Sequence, residues 1–185
     1  MLVVTSGINY SPAVLGQPGK YYYASGTIKS GVGHYKAGAL LALDSDGNYV
    51  RLNPSATDGT EIPRGILLEN VDARNDNAAA AIGFWGVFTR DKVYVPRYVN
   101  HTGDGTTTTF AVGEVIKQDT VIVYVDGALK AEGTDYTVNY DAGTITFSTA
   151  PQSGASIDIY YGIDVSESIA AKCERNSMWL ITIIS

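Results

Sequence analysis

The stretch Lys36–Ala73, KAGALLALDSDGNYVRLNPSATDGTEIPRGILLENVDA, constrains the fold more than any other part of the chain. Apolar runs of a few residues alternate there with glycine-bearing polar turns, a spacing too short for helices and suited to strands. Ala39–Leu43 reads as an apolar strand, and Tyr49–Leu52 as its returning partner. Between them Asp44-Ser45-Asp46-Gly47 reads as a turn whose glycine can take a positive φ. Asn53–Thr60 is a polar loop and Ile66–Leu68 a further strand. Ala78–Phe88 is a long strand interrupted by Gly83 and Gly86, which marks a bulge or a close backbone approach.

Residues 101–162 carry a second set of strands, at Val121–Val125, Tyr136–Tyr140, Thr144–Ser148 and Ser156–Tyr161. Asp126-Gly127, Asp141-Ala142-Gly143 and Pro151-Gln152-Ser153-Gly154 punctuate them, the pattern of a small sandwich or barrel. Alternation in Thr144-Ile145-Thr146-Phe147 and Ile157-Asp158-Ile159 gives one buried and one wet face. The C-terminal part changes period. Asp164-x-x-Glu167 resembles a capping box with an acidic cap, and Val165, Ile169 and Cys173 form one helical stripe. Asn176 is expected to end that helix in the left-handed region, and Met178–Ile184 to follow as a fully buried closing strand.

These segments predict one β domain interrupted by another. Residues 36–95 lack a finished core, which 163–185 can complete, and insertions are tolerated at surface loops. The expected organisation is an extended arm over 1–35, a core over 36–100 with 163–185, and an inserted all-β sandwich or barrel over 101–162. The arm is rich in Gly, Pro and Ser, yet it carries Tyr21-Tyr22-Tyr23, which is costly to leave in water and therefore expected to dock.

Composition excludes several functions. With 45% hydrophobic and 17% charged residues, the 185-residue chain can build a core. A net charge of −6 disfavours nucleic acid as a partner. The single cysteine, Cys173, allows no intrachain disulfide and no cysteine-rich metal site, and reads as a small buried apolar residue. Asp44-x-Asp46-Gly47 begins like a calcium loop, but the twelfth position is Ser55 and no helices flank it, so no metal is expected. His34 and His101 lie far apart, with no nucleophile elbow and no paired-carboxylate motif, so neither catalytic residues nor a cofactor are expected. No apolar run approaches the ~20 residues of a membrane span. The first twenty residues lack the basic and apolar regions of a signal peptide, so synthesis in a cytoplasm is expected.

Taken in order, Ala37-Gly38, Asp46-Gly47, Asn53-Pro54-Ser55-Ala56-Thr57-Asp58-Gly59, Gly65-Ile66-Leu67, Val71-Asp72-Ala73 and the late helix and strand over Asp164–Ile184 resemble the head decoration proteins of tailed bacteriophages, the phage lambda type. The resemblance covers arm, core and C-terminus, with the insert outside it. It implies a mainly β, α+β fold: a small β-rich core with one C-terminal helix. It also implies a structural virion protein on the outer surface of the capsid rather than an enzyme. Such proteins form homotrimers at three-fold positions of the expanded shell, with the major capsid protein as partner, and stabilise it against internal DNA pressure. An N-terminal arm reaches into the lattice, which makes Tyr21, Tyr22, Tyr23 and Ile28 candidate capsid contacts through strand addition. The insert, with its runs Asp104–Phe110, Val121–Leu129 and Gly133–Val138, resembles small β modules of phage tail and fibre proteins. The alternative this implies is an adhesion or carbohydrate-binding module making glycan or cell-surface contacts. Tyr124, Tyr136, Tyr140, Tyr160 and Tyr161 would be its stacking faces, although packing between strands is their simpler role.

Overall fold

The computed structural model describes residues 21–181. Seven strands come first: β1 (Tyr21–Ile28), β2 (Gly33–Tyr35), β3 (Leu40–Leu43), β4 (Tyr49–Arg51), β5 (Gly65–Leu67), β6 (Val71–Ala73) and β7 (Ala78–Thr89). Seven more follow: β8 (Val95–Thr102), β9 (Thr109–Ala111), β10 (Ile122–Val125), β11 (Ala128–Lys130), β12 (Tyr136–Asn139), β13 (Thr144–Phe147) and β14 (Ser156–Ile163). The helix α1 (Glu167–Arg175) and strand β15 (Met178–Ile181) end the series. The chain divides into two compact units, residues 1–96 with 164–185, and residues 97–163.

The first unit is a closed five-stranded barrel with an added strand. β1 runs antiparallel to β7 from Tyr21↔Gly86 to Ile28↔Ala78. β7 pairs with β5, β5 with β3, and β3 with β4, all antiparallel. A ring with an odd number of strands cannot close on antiparallel pairs alone. The ring is closed by the parallel pairing of β4 with β1 at Ile28↔Tyr49. β15 then joins β7 in parallel, from Met178↔Gly86 to Ile181↔Thr89. Gly86 therefore faces Tyr21 across one edge of β7 and Met178 across the other. A separate pair, β2 with β6, runs antiparallel from Gly33↔Ala73 to Tyr35↔Val71.

Small residues let so short a barrel close. A Cβ on Gly26 would lie 2.5 Å from the Tyr49 ring, and one on Gly83 would lie 2.8 Å from the Phe88 ring. Ile28, Leu40, Ile66, Leu67, Ile82 and Phe88 are essentially inaccessible to solvent. Each such side chain contributes about 1.5–3 kcal/mol through burial. The interruption expected at Gly83 is a bulge: Tyr23 opposes Gly83 and Tyr22 opposes Trp85, which leaves Phe84 as the extra residue.

The C-terminal elements differ from the sequence expectation in three details. The helix is capped by Ser166, whose hydroxyl accepts from the Ile169 N–H; Asp164 lies two residues too early to reach the first turn. At the other end, Ser177 takes the left-handed conformation (φ 64°) rather than Asn176. The Asn176 amide is tied down instead, donating to the Lys172 carbonyl (2.8 Å) and accepting from Arg64 (3.0 Å). Within the described residues β15 is half-buried rather than fully buried, because it is an added strand beside the ring: Met178 is buried, while Trp179 and Ile181 are exposed. Residues 182–185 of the expected closing strand lie outside the described residues. The stripe Val165, Ile169 and Cys173 is buried. Arg90, just past β7, anchors the helix start by donating to the Val165 carbonyl (2.9 Å) and pairing with Glu167 (2.7 Å).

The second unit has two sheets, ordered β11-β10-β14-β8 and β12-β13-β9. They share a core that includes Phe110, Val123, Tyr136, Ile145, Ile157 and Ile159. Asp126 (φ 50°) and Gly127 (φ 76°) form the two-residue turn between β10 and β11, a hairpin geometry that requires positive φ at both positions. The chain enters this unit along β8 and leaves it along β14, and these two strands are neighbours. Paired strands lie about 5 Å apart, so a short linker can span the gap. Both tryptophans, Trp85 and Trp179, belong to the first unit, so their fluorescence reports on it alone. A variant lacking 97–163, with Pro96 joined to Asp164 by a short Gly-Ser linker, is expected to keep the native tryptophan emission and a single cooperative unfolding transition. Loss of that transition would show that the first unit needs the insert to fold.

Candidate functional site

The four residues singled out as capsid contacts all lie on β1, and β1 is a stave of the barrel. Residues 21–28 of the expected arm are thus built into the first unit, and Gly33–Tyr35 forms β2; residues 1–20 lie outside the described residues. The four are not equivalent. Tyr21 opposes Gly86. Tyr22 is 42% exposed. Tyr23 is half-buried. Ile28 is fully buried, so its side chain is committed to the barrel's own core.

Tyr22 leads to a surface that sequence reasoning did not identify. Its ring meets Trp85 edge-on, with centroids 5.0 Å apart, and Trp85 meets Trp179 edge-on at 5.7 Å. The strand register produces this ladder. Tyr22 sits directly opposite Trp85, while Trp179 opposes Val87, two residues further along β7 and so on the same face. Trp85 and Trp179 are each 40% exposed, and Ile181 on β15 extends the stripe. Edge-to-face pairs contribute about 0.5–1.5 kcal/mol beyond burial, so the rings are held in a fixed array. The three rings and Ile181 form one exposed apolar stripe. The signal available in the sequence was weak. The bulge at Phe84 shifts the alternation by one, so spacing along β7 alone misassigns the face of Trp85.

The polar candidates are accounted for locally. The Asp44 carboxylate accepts from the Lys29 ammonium (2.7 Å) and from the N–H groups of Asn48 (2.9 Å) and Asp46 (3.0 Å). Chiefly through Lys29, these hold its carboxyl down to about 2. The group that looked like a calcium ligand is therefore a turn residue paired with a cation. His34 packs between β2 and β6 with its Nδ1 3.9 Å from Asp72, and burial holds its imidazole below the usual histidine range. His101 places Nε2 3.1 Å from the Ala111 carbonyl in the other unit. Burial pushes the Cys173 thiol up to about 12, so it stays protonated.

The five tyrosines considered as sugar-stacking faces do not serve that role. Tyr124, Tyr136, Tyr160 and Tyr161 are buried between strands, and Tyr140 is half-buried with its hydroxyl donating to Glu132 (2.8 Å). Alternation turns Tyr136 and Tyr161 into the sandwich core, while Tyr124 and Tyr160 pack edge-on against each other on the other face of their sheet. Tyr98, which was not singled out, is the exposed one, stacked on Tyr160 at 5.0 Å.

Comparisons with known proteins supply the family. A family model described as Bacteriophage lambda head decoration protein D matches residues 5–115, which takes in β1–β7 and runs on through β8 and β9. The helix and strand over Asp164–Ile184 fall outside the match. No curated protein matches the chain. The chain belongs to the bacteriophage lambda head decoration protein family, and its role is that of a structural component of the phage capsid.

The exposure of the ladder separates its cost from that of the core. Phe88→Ala is expected to destabilise the protein by about 3–5 kcal/mol. Trp179→Ala, at a partly exposed ring with one edge contact, should cost only about 1–2 kcal/mol. Urea unfolding followed by circular dichroism distinguishes the two, and equal losses would mean that Trp179 is a core residue.

Proposed function

We propose that the protein decorates the outer face of the expanded phage head as a homotrimer at local three-fold positions, and that it stabilises the shell against the pressure of packaged DNA. The family match places the chain among capsid components, and the exposed Tyr22–Trp85–Trp179 ladder is the observation that supports a docked state. The physical logic is that of a clamp. Packaged DNA pushes capsid subunits apart, and a protein bound across their junctions adds buried area that must be exposed before the shell can open. Rings already fixed by edge contacts lose little conformational freedom on docking, which favours binding by a small number of them. Residues 1–20, which precede β1, are the proposed arm, with Tyr21, Tyr22 and Tyr23 at its root. Ile28 is not part of the proposed contact, since its side chain fills the barrel. Repetition over many sites makes a modest affinity effective, because loss of one clamp leaves the others engaged.

DNA-filled heads assembled without their decoration protein provide the test. Adding the protein is expected to raise the temperature at which heated heads expose DNA to nuclease. The double variant Trp85→Ala/Trp179→Ala, if still folded by circular dichroism, is expected to bind about a hundredfold more weakly and to give less protection. Deleting residues 1–20 should also weaken binding. An unchanged release temperature with saturating protein would contradict the proposal.

A further inference from the structure

The second unit contains a cleft that the capsid role leaves unassigned. The β10–β11 turn, the connection from β11 to β12 and the connection from β13 to β14 enclose a volume of about 500 Å³ at one end of the sandwich. That is within the usual range of small-molecule sites. Its floor is apolar, formed by the buried residues Phe147, Pro151 and Ala155. Its rim is polar and carries Asp126, Lys130, Asp135 and Gln152.

The rim groups are arranged rather than loose. Asp126 Oδ1 accepts from the Ser156 N–H (2.9 Å), and Asp135 Oδ2 accepts from the Ala131 N–H (2.8 Å). Each carboxylate is thereby oriented by main chain, and its second oxygen has no hydrogen-bond partner among the described residues. Lys130 makes no ion pair among the described residues. The charges narrow the choice of ligand. Two carboxylates oppose a polyanion, and the Lys130 ammonium on the same rim opposes a metal cation. What suits the cleft is a neutral molecule with one apolar face and many hydroxyls along its edges. A pyranose ring has that form, with C–H groups on its faces and hydroxyls around its rim. Fixed carboxylate oxygens accept from hydroxyl protons, Lys130 donates, and Gln152 does both. An apolar floor with a few convergent polar groups is the general form of such sites.

We propose that this cleft binds a neutral oligosaccharide. The tyrosine stacking faces considered for the insert are buried, so recognition here rests on the floor of Phe147 and Pro151 and on the oriented rim instead. The proposal is independent of the capsid reading, because head binding can hold or fail without it.

The test uses the full-length protein on an array of neutral and acidic oligosaccharides, beside the double variant Lys130→Ala/Gln152→Ala. Both replaced side chains lie on the rim, so the fold is expected to persist, and a matching circular dichroism spectrum checks this. The expected result is binding of at least one neutral oligosaccharide, reduced about tenfold or more in the variant. A nuclear magnetic resonance titration with that oligosaccharide should move the backbone amides of Lys130, Asp135 and residues 148–152. No neutral oligosaccharide bound above the level of the variant would overturn the proposal, as would binding that the variant retains in full. Displacement of the same amides by calcium or magnesium ions, or by a peptide, with no saccharide effect would overturn it too and assign the cleft to another ligand.

Discussion

The strand β7 is the constraint on which the first unit depends. It pairs with β1 along one edge and with β5 and β15 along the other, so it both closes the barrel and carries the last strand. Its sequence, AAAAIGFWGVFT, suits both tasks. The alanines keep the paired surface with β1 thin, Ile82 and Phe88 are buried, and Gly83 leaves room for the Phe88 ring. The one-residue bulge at Phe84 then brings Trp85 opposite Tyr22. The aromatic ladder is thus a consequence of how the ring closes rather than a separate addition to it.

The same geometry fixes the N-terminal tyrosines. β1 supplies the pairing that completes the ring, and the same strand leaves Tyr22 exposed beside Trp85. A residue on a closing strand cannot be displaced without opening the barrel, so the position of Tyr22 is set by the ring itself. The second unit follows another logic. It has its own core, and the chain enters and leaves it through adjacent strands, so it can be carried without altering the barrel's pairing scheme. Its cleft and its buried tyrosines direct attention to the end of the sandwich rather than to its faces.

Local features were the most legible in the sequence. The turn at Asp44–Gly47, the hairpin at Asp126-Gly127, the long strand over Ala78–Phe88 and the helical stripe of Val165, Ile169 and Cys173 are written in residue spacing, and the structure contains each of them. What the sequence hid depends on pairing between distant residues. Tyr21–Ile28 looks like an arm because nothing near it in sequence reveals a partner; its partner, Ala78–Gly86, lies about fifty to sixty-five residues on. The meeting of Tyr22, Trp85 and Trp179 was hidden for the same reason, since it follows from a register and a bulge. Small errors at the helix ends have a simpler origin. Ser166 and Asp164 are both good caps, and only the position of the first turn decides between them.

The central claim is that this barrel recognises the mature shell. The most direct measurement is co-sedimentation of the purified protein with expanded, undecorated heads of its parent phage, run beside unexpanded proheads. The account predicts saturable binding to the expanded heads alone, since the proposed clamp needs junctions that form on expansion. Equal binding to both forms, or none to either, would contradict it.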